Sequence, residues 1–134
     1  MTNVYSLYET DKAVEANGID LKFPSFTIRV ARAGGANKRF AAVLQKKLGT
    51  RARAFDAGMM SPDEANKILA EVYAECVVLG WEGVTDRAGV PLAYSKEACV
   101  RLFTDLPDLF QEVIAESQRL QNFRAVQKDE DSGN

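Results

Sequence analysis

The spacing of apolar residues changes period several times along this chain, and each change marks a new element. Between Gly18 and Phe23, the residues Ile19, Leu21 and Phe23 occupy alternate positions. After Pro24-Ser25, Phe26, Ile28 and Val30 alternate with Thr27, Arg29 and Ala31. A period of two marks a half-buried strand, so these runs predict a small antiparallel hairpin. Two strands are marginal by themselves, so helices must cover one face. Upstream, Val4, Tyr5, Leu7 and Tyr8 precede a polar stretch and read as a short strand or a loosely held arm.

Downstream the period becomes helical. Asn37 is placed to cap a helix running to about Leu48, with Phe40, Val43, Leu44 and Leu48 on one side and Gly49 ending it. A shorter helical piece runs from Arg51 to Ala57 and stops at Gly58. Ser61, Pro62 and Glu64 then form a strong start signal, a capping box with proline at the first helical position. Ala65, Ile68, Leu69, Val72, Tyr73, Cys76 and Val77 recur at helical spacing, which predicts a helix over 62–79 ended by Gly80 in a left-handed conformation. Asp86-Arg87-Ala88-Gly89, flanked by Val84 and Leu92, predicts a very short hairpin whose second arm Pro91 confines to an edge. A helix from Lys96 to Phe103 follows, capped by Ser95. Asp105 is placed to cap a last long helix with the stripe Leu106, Leu109, Phe110, Val113, Ile114, Leu120 and Phe123. Residues 127–134 are polar, with no apolar anchor, and read as a disordered tail beyond a single domain over 1–126. The fold class expected is mostly α: a helical domain with a small N-terminal antiparallel β-hairpin.

The chemistry available is sparse. The chain of 134 residues has no histidine, which removes the commonest general base and metal ligand. Cys76 and Cys99 each sit on an apolar helical stripe and read as reduced and buried, since two isolated cysteines cannot build a cysteine-rich zinc site. Phosphate-loop, nucleophile-elbow and dinucleotide fingerprints are missing, and Gly34-Gly35 reads as a strand-to-helix turn. The expectation is a non-enzyme with no cofactor and no metal. Neither a membrane-spanning apolar run nor a signal peptide is evident, which points to the cytoplasm. Trp81, where the chain changes direction, reads as a lid over the core with its indole nitrogen bonded to a loop carbonyl, or else as an interface anchor.

Charge is segregated. Residues 21–55 hold nine basic side chains and no acidic one: Lys22, Arg29, Arg32, Lys38, Arg39, Lys46, Lys47, Arg51 and Arg53. The remainder is acidic, so the formal net charge of −2 conceals a basic block. Three readings compete: solvated helix faces, a nucleic-acid surface, or a protein contact in which a basic face meets an acidic partner or the acidic face of another copy. The candidate protein-binding residues are Arg29, Arg32, Lys38, Arg39, Lys46, Lys47, Arg51 and Arg53.

Four stretches carry a family resemblance: Ala31-Arg32-Ala33-Gly34-Gly35-Ala36-Asn37-Lys38, Glu71-Val72-Tyr73-Ala74-Glu75, Val78-Leu79-Gly80-Trp81-Glu82-Gly83-Val84, and Phe103-Thr104-Asp105-Leu106-Pro107-Asp108-Leu109-Phe110. Over residues 18–125 the chain resembles the tail-assembly chaperones of long-tailed, siphovirus-type bacteriophages. The resemblance implies a non-catalytic protein of the host cytoplasm that binds the helical tape-measure protein and keeps it soluble while tail-tube protein polymerises around it. It also implies self-association, absence from the mature virion and, in many members, a longer frameshifted form; the polar end of this chain would suit the short form. The family supplies no motif of functional residues to carry over. The alternatives are a structural or adaptor protein of the phage tail and a nucleic-acid-binding regulator, the latter disfavoured by the acidic remainder of the chain.

Overall fold

The computed structural model describes residues 3–124. The polar tail expected over 127–134 lies outside the described residues. In chain order the elements are α1 (Val4–Tyr8), α2 (Lys12–Asn17), β1 (Ile19–Lys22), β2 (Thr27–Val30), α3 (Arg39–Leu48), α4 (Ala52–Asp56), α5 (Pro62–Cys76), β3 (Val78–Glu82), α6 (Lys96–Asp105) and α7 (Pro107–Gln118). Short 3₁₀ turns occupy Gly49–Arg51 and Leu120–Phe123.

The expected fold class is corrected. The strands do not form an N-terminal hairpin appended to a helical domain. They form a three-stranded antiparallel sheet of order β1-β2-β3, whose third strand arrives from the middle of the chain. β2 is therefore central, with Ile28 and Val30 fully buried. The helix expected to reach Leu79 stops at Cys76, and Val78–Glu82 is strand. The apolar run Val77-Val78-Leu79 fits either period, so spacing cannot separate a helix end from a short buried strand. Tertiary pairing decides: β3 satisfies the second edge of β2, whose backbone groups would otherwise be buried without partners. Gly80 accordingly has no left-handed conformation. It faces Arg29 across the sheet, and a Cβ there would meet nothing within 4 Å. Arg29 opposes Gly80 while Val30 opposes Val78, which leaves Leu79 as an extra residue that bulges outward.

The N-terminal arm is helical rather than extended. Asn3 and Ser6 form a reciprocal capping box for α1, and Asp11 caps α2 through the amides of Ala13 and Val14. Two other caps differ from expectation. Asn37 does not cap α3; its side-chain nitrogen donates to the carbonyls of Arg32 (2.9 Å) and Cys76 (2.8 Å), clamping the β2–α3 loop to the end of α5. Asp105 closes α6, and Leu106 takes the N-cap position of α7 without a side-chain bond. Ser61 and Ser95 cap α5 and α6 as expected.

Helices cover one face of the sheet. Leu21, Ile28, Val30 and Val78 meet Ile68, Val72, Tyr73, Cys99, Phe103, Phe110 and Val113 in one core. Its centre is an aromatic chain: Phe40 meets Tyr73 edge-on at 5.7 Å, Tyr73 meets Phe110 edge-on at 5.2 Å, and Phe110 stacks on Phe103 at 4.6 Å. The buried Tyr73 hydroxyl lies 3.3 Å from the Ser117 hydroxyl, so neither polar atom is stranded. Trp81 sits half-buried at the sheet margin. Its indole nitrogen donates to the Leu92 carbonyl at 2.8 Å and its ring meets Tyr94 edge-on, which matches the lid reading. The Tyr94 hydroxyl in turn donates to the carbonyls of Val78 and Ala74.

Candidate functional site

The basic block separates into two groups once folded. Arg29, Arg32 and Arg51 are occupied within the chain. Arg29 stands on the solvent face of the sheet, 3.0 Å from Asp20, and also donates to the Asn17 carbonyl. Arg51 pairs with Glu64 at 3.0 Å. Arg32 pairs with Glu15, which is only 1% exposed, and its guanidinium lies over the Phe123 ring. Burial by itself raises the Glu15 carboxyl, but hydrogen bonds from Arg32, from Thr10 and from the Ala36 amide outweigh it and hold the group below its ordinary value. This pair ties α2 to the β2–α3 loop and is a structural fastening.

Lys38, Arg39, Lys46, Lys47 and Arg53 form the second group, with no ion pair among the described residues. Lys38, Arg39, Lys46 and Arg53 are exposed and Lys47 is half-buried. α3 buries Leu48 and turns Phe40, Val43 and Leu44 toward the core. Arg39 and Lys46 are seven residues apart, so they share the opposite face about 10 Å from each other along the axis. Lys46 and Lys47 suit the negative end of the helix dipole. Lys38 and Arg39 do not: they crowd its positive end, where the first turn has no acidic residue and no side-chain cap. Local stability would favour the opposite charge at both positions.

A second surface is not legible as spacing. The 84–92 hairpin and α6 enclose an open groove of about 550 Å³. One wall is stiffened by Asp86, whose carboxylate accepts the amides of Ala88 (2.9 Å) and Val90 (3.0 Å), and by the Leu92 amide bonded to the Val84 carbonyl. The floor is apolar, formed by Leu92, Ala98, Leu102 and Leu106, and Arg87 reaches across the rim to within 3.8 Å of Asp105. Leu106 remains 46% exposed. The turn residues Asp86 and Gly89 announce the hairpin, but nothing in the sequence places α6 opposite it.

Cys76 and Cys99 are buried and unpaired. Burial pushes the Cys99 thiol up to about 12 and raises Cys76 as well, so both stay protonated and unreactive near neutrality. Among the described residues no group of three or more acidic or cysteine side chains could hold a metal ion, and no helix is long and apolar enough to cross a membrane.

Residues 35–134 match the family described as YdaY prophage protein. The chain belongs to that prophage family. The matched segment contains the α3 basic face, β3 and the groove, and excludes β1 and β2. No curated protein and no solved structure matches the chain.

Proposed function

We propose that this prophage protein is a non-catalytic assembly chaperone for a phage tail. It holds helical segments of a tape-measure protein in solution in the host cytoplasm while tail-tube protein polymerises, and it leaves before the virion is complete. The prophage family supports the phage context, and the family resemblance over residues 18–125 supports the tail-assembly role. The observation that carries a protein-binding role is the cation cluster at the wrong end of α3. Lys38 and Arg39 each work against the helix dipole by about 0.3–1 kcal/mol, a cost that folding does not require and partner binding explains. The apolar groove beside α6 is the second contact, of the size and character that receives the apolar face of a helix.

The test is co-expression with a tape-measure fragment encoded by the same prophage. The parent protein should keep the fragment in the soluble fraction. The Lys38→Glu, Arg39→Glu, Lys46→Glu, Lys47→Glu variant should lose that ability while retaining its circular dichroism spectrum. Added salt should weaken the parent complex, since exposed charges are screened beyond about 10 Å at 0.1 M ionic strength. A parent protein that leaves the fragment insoluble defeats the chaperone reading. A quadruple variant that matches the parent removes the basic face from it. Recovery of the protein in purified virions would instead indicate a structural or adaptor protein of the tail.

A further inference from the structure

β1 is an edge strand, and among the described residues no strand pairs with its outer side. The hairpin bond from the Phe23 amide to the Phe26 carbonyl fixes which backbone groups face β2. Alternation then points those of Leu21 and Ile19 inward and those of Asp20 and Lys22 outward. The outward row is short and sharply bounded. At one end the Gly18 amide is occupied by the Val14 carbonyl, and at the other Pro24 has no amide. The edge therefore offers two amide donors, those of Asp20 and Lys22, beside the carbonyls of the same two residues. These two side chains are of opposite sign and lie on the exposed face of the sheet, Asp20 keeping one carboxylate oxygen for Arg29 and leaving the other for a second copy.

We infer that β1 is a self-pairing edge, on which a second copy of this chain adds its own β1 antiparallel about a two-fold axis through Leu21. The registers that match outward groups to outward groups are few. Centring on Asp20 opposes Asp20 to Asp20, and centring on Lys22 opposes Lys22 to Lys22. Centring on Leu21 opposes Asp20 to Lys22 of the second copy, twice by symmetry, and uses both free amides of the edge. Charge complementarity thus selects one register, and the contact is isologous, joining two three-stranded sheets into one. On the core side the same register sets Ile19 opposite Phe23 of the second copy. Both are apolar side chains that the single chain leaves half-buried. Charged residues on an edge strand often prevent pairing. Here the signs alternate at a spacing of two, so the edge repels most strands and complements itself. The inference is independent of the function proposed above.

Sedimentation velocity over a concentration series tests it. The parent should show a concentration-dependent two-chain species. Asp20→Lys and Lys22→Asp should each shift the equilibrium toward single chains, because each places like charges opposite each other twice. Mixing the two single variants should restore the two-chain species, since one then carries two basic side chains on this edge and the other two acidic ones, and both cross-strand pairs are again of opposite sign. Lys22→Pro should give single chains, with thermal unfolding unchanged at a concentration where the parent is also a single chain, because the amide it removes faces outward only. A parent that stays a single chain at every concentration overturns the inference. So does a two-chain species that survives Lys22→Pro, or single variants that fail to associate with each other.

Discussion

Replacing Glu15 by glutamine removes one charge from a site that the fold has built around that charge. One carboxylate oxygen takes the Arg32 guanidinium and the other accepts the Ala36 amide at 3.1 Å. An amide offers a single acceptor, so its NH₂ must face one of those two donors. The loss of a charge-assisted hydrogen bond amounts to about 1.5–3 kcal/mol, and a stranded buried donor to about 1–3 kcal/mol more. The Arg32 side chain remains 20% exposed and can recover part of this from water, so a net loss of about 2–4 kcal/mol is expected. For a domain of this size that corresponds to a fall in melting temperature of roughly 10 °C. Urea unfolding at neutral pH should show a lower midpoint at unchanged slope. The pH dependence supplies a second reading. A carboxyl held below its ordinary 4.5 contributes stability that is full above the unfolded-state value and is lost as pH falls through the folded one. The parent should therefore lose stability below about pH 4.5 more steeply than Glu15→Gln. A loss under about 0.5 kcal/mol at neutral pH, or parallel acid profiles, would refute the assigned role of this pair.

Two glycines make opposite predictions. Gly18 has φ 90°, and a Cβ there would lie 2.8 Å from the Val30 carbonyl oxygen and 2.7 Å from Leu79, so Gly18→Ala should destabilise by about 1–3 kcal/mol, read from thermal unfolding. Gly80 is ordinary strand with open space beside it, so Gly80→Thr should leave stability unchanged or raise it by up to about 1 kcal/mol, and a large loss would contradict the strand assignment. Cys76 and Cys99 should resist a thiol reagent at pH 8 in the folded protein and react promptly in urea; prompt labelling of the folded chain would contradict their burial.

What the sequence discloses depends on how local the determining interaction is. The caps at Ser61 and Ser95, the breaks at Gly49 and Gly58 and the Asp86–Gly89 turn are each decided within four or five residues, and all stand in the structure. Spacing misreads Val78–Glu82 because its conformation is decided by β2, nearly fifty residues earlier. It gives Asn37 to the nearest helix because nothing local reveals the Cys76 carbonyl it reaches. The basic block is visible as composition. Its division into the occupied Arg29, Arg32 and Arg51 and the cations around α3 that have no ion pair among the described residues is not, because Glu15, Asp20 and Glu64 are brought to those arginines only by folding.

The central position of β2 has a kinetic consequence. Its neighbours are β1, which precedes it by a few residues, and β3, whose pairing closes a loop from Val30 to Val78. The N-terminal arm is then held by the far end of the chain: the Asp11 amide bonds the Phe123 carbonyl, and Thr10 bridges to Arg124. Contacts of such sequence separation form slowly, because loop closure comes before any reward from them. On the ribosome, the first hairpin emerges early and waits with its second edge bare until Val78–Glu82 follows, and the arm cannot be fastened until synthesis reaches Arg124. Folding of this domain is therefore complete only once Phe123 and Arg124 have left the ribosome, and truncation before Phe123 would release the N-terminal helices as well as removing the C-terminal turn.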